Sequence, residues 1–517
     1  MGCFNLHASN TDDPPEVRNW RIHIIALIAS MGSVAMGYDT SVIGGTMALD
    51  SFRRDFGLAD VSAHTRDTLQ GNITAANGVI ALIIAGRAIA GLGIGAVSLL
   101  VPVYIAETSP PSIRGRLVGI FEVLSQGGGM LGFWINYAVN RTISVEGKTQ
   151  WIVPLSLQLI PGALLFFGIM FCPESPRWYA KKDRWEEAGK TLSQIRHLDE
   201  SHPYIQRELS DIREQIVMST PANGQPMKKM DMLKRLCQKG TRNRIAIGLF
   251  LMACQNLTGV NIITYYSPRI FETLGITGTD TKLFATGFYG IAKTLGMIVF
   301  VCIVHVLMVL VSTDCPSSLY ILSKKWGVER DLSGVLLSAR FRCGTSEPMV
   351  RSFLSRTHMT LADQCFEVMR ADPASAAAKG VVSQSGAGYL AMVCVYLYGF
   401  IYCMTWQGIT WVYCSEIFPF DIRLLCVAIT TADQWLWSFV ISRTTPYMIT
   451  SLGYGTYMFF GSLMVLMGIW AWWAVPETKG KTLEEMEALF GVPAAVEAAG
   501  YQKEKVECLE DIHHSKV

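Results

Sequence analysis

Long apolar runs dominate the hydrophobic pattern of the chain. Nine stretches stand out, at about 22–44, 79–105, 116–138, 151–172, 244–266, 284–312, 388–413, 426–449 and 457–475. Roughly 20 apolar residues of helix cross a bilayer core, so each run predicts a membrane-spanning helix. The polar segments 173–243 and 313–386, and the residues after 476, cannot span. Residues 1–21 are polar, with Pro14, Pro15, Arg18 and Arg21 just before the first run. That run is too long for a signal-peptide core and has no cleavage site. It reads as a first span with its N-terminal end in the cytoplasm.

Charge and composition sharpen this picture. The 173–243 segment holds Lys181, Lys182, Arg184, Lys228, Lys229, Lys234 and Arg235, which places it in the cytoplasm by the positive-inside rule. Its stretch from Trp185 to His197 has the spacing of an amphipathic helix. Half of the chain is hydrophobic and 17% is charged, where soluble domains carry about a quarter. A net charge of +2 gives no bulk attraction to nucleic acid. The 13 Cys are scattered, many within apolar runs, without zinc spacing or a disulfide framework. No metal or cofactor is expected. The chain lacks HExxH, GxSxG and GxxxxGK, so an enzyme is not expected either.

The two halves repeat. Glu107 precedes Arg114 by seven residues, and Glu416 precedes Arg423 by the same interval. PESPRW (173–178) closes the first half and PETKG (476–480) the second. Two paired motifs in the same order predict two related helical bundles, an organisation common in secondary transporters.

These motifs, with GYDTSVIGG (37–45), GRAIAGLGIG (86–95), PVYIAETSPPSIRGRLVG (102–119) and QNLTGVNIITYYSP (255–268), resemble the sugar-porter family of the major facilitator superfamily. Within that family the chain resembles the fungal monosaccharide and quinate permeases, over about 20–300 and 385–490. The resemblance implies an all-α membrane protein of two pseudo-repeated bundles. It further implies a multi-pass location in the plasma membrane and secondary active transport by alternating access. The expected division is a first bundle at 1–172, a cytoplasmic loop at 173–243, a second bundle at 244–476 and a tail at 477–517. The family has twelve spans and this chain shows nine. Its second helix and most of its third are absent around Asn72–Ala75, and residues about 301–386 interrupt the second bundle. Loss of two helices keeps every later helix in its original direction, whereas loss of the ninth inverts the last three. The Lys and Arg of PETKG, of the Glu416–Arg423 loop and of 313–360 argue against that inversion, so the sequence reads as an exon error or a degenerate gene.

Asp39 lies within the first span. An intramembrane carboxylate is costly and marks a functional site by default. The resemblance implies that proton-coupled members keep Asp at this position, with Arg87 as its partner; the alternative is a static buried ion pair. It also implies that Gln255, Asn256 and Asn261 bind the solute through amides that donate and accept, and that Tyr265 and Tyr266 gate it. Trp411 and Trp435 would offer aromatic faces, with Gln434 beside them. Interhelical bonding and packing are the plainer readings of these groups. Glu107, Arg114, Glu416 and Arg423 would form ion pairs that change with conformation.

Glu122 and Lys293 stand where hexose carriers usually have Gln and Asn. They could pair with each other, or Lys293 could hold a substrate carboxylate while Glu122 takes hydroxyls or protons. The function expected first is proton symport of a monosaccharide. The alternatives are a permease for quinate or another polyhydroxy acid, and a transport-dead sensor or remnant. Partners are therefore a small polyhydroxylated molecule, a proton and the lipid bilayer. Asn140-Arg-Thr142 is a glycosylation sequon in an expected outer loop.

Overall fold

The computed structural model describes residues 14–56, 78–110, 113–219, 229–238, 240–273, 276, 278–312, 386–419, 422–453, 455–476 and 490. Among them all regular structure is helical, and nine segments are long and apolar enough to cross a membrane. They fall on the nine apolar runs of the sequence. The Asn72 junction, the 313–385 segment and PETKG beyond Pro476 lie outside the described residues.

The first bundle holds α1 (Trp20–Ala29), α2 (Met31–Thr46), α3 (Asp50–Asp55), α4 (Gly78–Thr108), α5 (Arg114–Thr142), α6 (Thr149–Leu157) and α7 (Leu159–Ile169). Outside the spans follow α8 (Pro176–Lys181), α9 (Trp185–Arg196), α10 (Pro203–Ser219) and α11 (Lys229–Leu236). The second bundle holds α12 (Thr241–Leu257), α13 (Val260–Thr273), α14 (Thr279–Ser312) and α15 (Gly386–Tyr402). A π-helical turn, Cys403–Gln407, leads into α16 (Gly408–Glu416), α17 (Arg423–Leu452) and α18 (Gly455–Ala474).

Lipid is as apolar as leucine, so close packing rather than the hydrophobic effect holds such helices together, and small residues allow the approach. At Gly37 of α2 an added Cβ would fall 1.8 Å from the Ser125 carbonyl oxygen of α5. At Gly44 it would fall 2.4 Å from the Tyr265 carbonyl oxygen of α13, where the two bundles meet. Gly259, with φ at +86°, breaks α12 from α13 in a conformation that glycine reaches at little steric cost.

The internal repeat is visible in bonds as well as letters. Tyr104 of α4 donates to the Pro173 carbonyl at 2.6 Å, and Tyr413 of α16 donates to the Pro476 carbonyl at 3.1 Å. Ile113 (φ −122°, ψ 1°) and Ile422 (φ −118°, ψ 9°) precede α5 and α17 with the same backbone conformation. Glu107 and Glu416 thus end near one helix terminus in each half, and Arg114 and Arg423 each open the next helix.

The α9–α10 hairpin is fastened to the first bundle. The buried Arg196 guanidinium donates twice to Glu208 and once, at 2.6 Å, to the Thr108 carbonyl at the end of α4. Asn19, which caps α1, donates to the Ile195 carbonyl at 2.8 Å. A buried guanidinium needs this set of acceptors, because an unpaired charge there is expensive. These contacts define a loop side of the molecule. On the opposite side Ile43, Met47, Leu49, Phe52 and Trp151 of the first bundle cluster with Tyr266 and Leu283 of the second. Arg141 pairs with Asp280 at 3.2 Å across the same seam.

Candidate functional site

The Asp39 carboxylate of α2 and the Arg87 guanidinium of α4 meet as the sequence leads one to expect. Both bonds, Nη1 to Oδ1 and Nη2 to Oδ2, measure 3.2 Å. A planar fork on a carboxylate fixes geometry as well as charge. The Asp39 side chain is 14% exposed and the Arg87 side chain 33%, so the pair borders open space on the arginine side. Tyr265 of α13 lies close enough for both charges to act on its hydroxyl, which is bonded to Ser438 of α17. The first bundle's ion pair is therefore within electrostatic reach of the second bundle.

The amides gather into a cluster. Asn256 Nδ2 donates to Gln434 Oε1 at 2.7 Å, to the Gln434 carbonyl at 3.1 Å and to the Met252 carbonyl at 3.1 Å. Asn261 Nδ2 donates to Asn256 Oδ1 at 2.6 Å and to Ser438 Oγ at 3.4 Å. The helix break at Gly259 brings Asn261 back to Asn256. Gln255 is turned elsewhere: its amide donates to the carbonyls of Trp406 and Gln407 at 3.3 and 3.5 Å. Trp411 packs half-buried against the second bundle's core. The Trp435 indole N–H donates to Ser98 Oγ of α4 at 3.3 Å and so joins the two bundles.

Glu122 and Lys293 lie on α5 and α14, and no ion pair within 4 Å joins them. Glu122 Oε2 accepts from Gln407 Nε2 at 3.3 Å. The Lys293 ammonium stands 5.8 Å from the centroid of the Tyr289 ring. Both charges act on Cys403, the first residue of the π turn, so they share one neighbourhood. An ammonium over a ring is only partly compensated, which leaves Lys293 able to take an anionic partner.

Gln407 escapes a reading by motif. It sits in the apolar stretch 396–413, and the π turn sets where its amide points. Such turns recur at functional sites, yet no sequence signal announces one. Glu107 accepts from Ser175 Oγ at 2.5 Å, and Arg423 Nε donates to the Phe418 carbonyl at 3.4 Å. The side chains of Arg114 and Glu416 lie outside the described residues. Asn140 is on the last turn of α5 and donates to Asp280 Oδ1 at 2.6 Å. Among the described residues no cluster of His, Cys, Asp or Glu could hold a metal.

Residues 69–307 and 364–490 match the family model described as sugar (and other) transporter. A probable quinate permease of Neosartorya fischeri is 35% identical over 525 residues, covering 92% of this chain and 89% of that protein. The quinate permease of Neurospora terricola is 35% identical over 524 residues, covering 93% and 90%. In its inward-open form, the xylose transporter XylE of E. coli superposes with a TM-score of 0.62 at 23% identity, covering 90% of this chain and 99% of that one. That likeness concerns the fold; an MFS-type transporter of Neurospora crassa, 35% identical and covering 93% of this chain and 90% of that protein, places the fold in the major facilitator superfamily. The relatives are permeases and transporters rather than enzymes, and the chain belongs to the sugar (and other) transporter family of multi-pass membrane carriers.

Proposed function

We propose that the chain carries a polyhydroxylated ring compound bearing a carboxylate, of the quinate type, together with a proton across the plasma membrane. The observation that carries this reading is the Lys293 ammonium, half-buried beside the Tyr289 ring with no carboxylate of the described residues within ion-pairing distance. A neutral sugar needs only dipoles in its site, whereas a desolvated ammonium is stabilised by an opposite charge. The amides of Asn256, Asn261 and Gln434 supply donors and acceptors for ring hydroxyls. Glu122, held by Gln407, faces the same π turn and can accept a hydroxyl. Gln255 fixes the backbone of that turn, and Trp411 offers its ring face. The quinate permeases among the relatives point the same way. Monosaccharide symport is the second reading, favoured by the neutral amide cluster.

Proton coupling rests on Asp39 and Arg87. An ion pair that opens on protonation of its carboxylate can tie proton uptake to movement of α2 against α4. Tyr265, which adjoins this pair and bonds to α17, passes that change to the second bundle. The helix-end motifs Glu107–Arg114 and Glu416–Arg423 act as latches on the cytoplasmic face, and the loop side is that face by the positive-inside rule. The working division is 1–172, 173–243, 244–476 and 477–517. A glycan on Asn140, which belongs to the same reading, would release that residue from Asp280.

Binding tests the substrate class. In thermal-shift titrations of the purified full chain, quinate is expected to raise Tm in a saturable way while glucose at equal concentration does not, since a ligand that binds only the folded state stabilises it by mass action. A shift from glucose alone would favour the neutral-sugar reading.

A further inference from the structure

The second bundle contains an intramembrane carboxylate that the reading above leaves unused. Asp433 lies in α17, within the span Arg423–Leu452. Its carboxylate accepts a hydrogen bond from the Trp437 side chain, one turn further on, while Oδ2 is buried and has no hydrogen-bond partner. An ionised carboxylate offers about four acceptor sites, and leaving one oxygen bare in a membrane interior is costly. Protonation turns that oxygen into a neutral hydroxyl and removes most of the cost.

The position gives the charge a lever. The next two residues are Gln434, which accepts from Asn256 in the amide cluster, and Trp435, whose indole joins Ser98 of the first bundle. A change of charge at Asp433 therefore acts on the helix that connects the proposed solute site to the inter-bundle contact. The charged groups on the packed helices have other neighbours. Arg244 of α12 lies over Phe490, Arg87 of α4 holds Asp39, and Arg269 of α13 donates to Thr450. Tyr265 of α13 is bonded to Ser438, and Arg443 of α17 itself lies over Tyr447. Among the described residues, burial and the Trp437 indole are what act on Asp433.

We infer that Asp433 is a second intramembrane proton-binding group. It holds a proton on Oδ2 while Trp435 closes on Ser98. When the bundles part and water reaches it, the proton leaves to that water and the carboxylate is ionised. No other atom changes hands. The inference rests on the proposed proton-coupled carrier but concerns a different group in the other bundle.

Infrared difference spectra of the purified full-length protein in nanodiscs, recorded between acid and alkaline pH, test it. The carbonyl stretch of protonated carboxyl groups should contain one band that is lost in Asp433→Asn and kept in Asp39→Asn. Trp437→Phe, which keeps the ring and deletes the donor, should shift the pH midpoint of that band and leave the Asp39 band in place. A D433N spectrum that superimposes on the wild type would overturn the inference. If D433N does not fold, an unchanged midpoint in W437F overturns it instead. Loss of the D433N band with no D39N-dependent band would sink the Asp39 assignment and leave Asp433 standing.

Discussion

Asp39→Asn is expected to abolish accumulation of substrate against a gradient while exchange of labelled for unlabelled substrate survives. Uptake of a monoanion with one proton is electroneutral, so it is driven by the pH difference alone. One pH unit corresponds to 1.36 kcal/mol, or about tenfold accumulation at equilibrium. The wild-type protein in liposomes should approach that ratio, and D39N should level off near equal concentrations. Asparagine keeps the shape and a hydrogen-bond acceptor for Arg87, but it cannot lose or gain a proton in this range. Exchange needs only alternating access with substrate bound, so it should fall by far less than accumulation. If D39N still accumulates substrate tenfold, the 3.2 Å pair with Arg87 is a structural ion pair and coupling lies elsewhere.

Lys293→Asn separates the two substrate classes. Removing one member of a buried charge contact costs about 2–5 kcal/mol, so quinate affinity should fall about thirtyfold or more. A neutral hexose makes no such contact, and any hexose transport should persist. The double change Glu122→Gln with Lys293→Asn should widen that difference in favour of hexose, because it leaves only dipolar groups around the π turn. Equal loss of both substrates in K293N, with recovery of both in the double variant, would instead show that the two charges serve each other. The structure sets them apart, one on Gln407 and one over Tyr289, and so favours the selective outcome.

The spans were legible because the bilayer imposes a length: a helix that crosses it must be apolar for about 20 residues, and nine runs meet that rule. The repeated Glu–Arg intervals were legible for a similar reason, since both mark the turn between two spans; the matching Tyr104 and Tyr413 bonds lie beneath them. Asp39 could be paired with Arg87 because two opposite charges in an apolar environment have few other places to go. The amides were identifiable as polar groups in a span, but not their division of labour. Which way Gln255 turns depends on the π turn of another segment, more than a hundred residues away, and period and composition say nothing about that. Gln407 is hidden for the same reason. Asp433 is different: its intramembrane position alone marks it, although it belongs to no motif, and only the bare Oδ2 reveals its character. Trp435 shows another limit: its ring marks it as a residue suited to stacking, but nothing in the sequence reveals that its indole N–H reaches Ser98 of the other bundle.

The most direct test of the central claim is uptake of labelled quinate by liposomes containing the purified full-length chain. With an acid exterior, quinate should accumulate inside and glucose should not, and a protonophore that collapses the pH difference should release the accumulated quinate. Quinate levels that never exceed those of protein-free liposomes, or accumulation that survives the protonophore, would contradict the account.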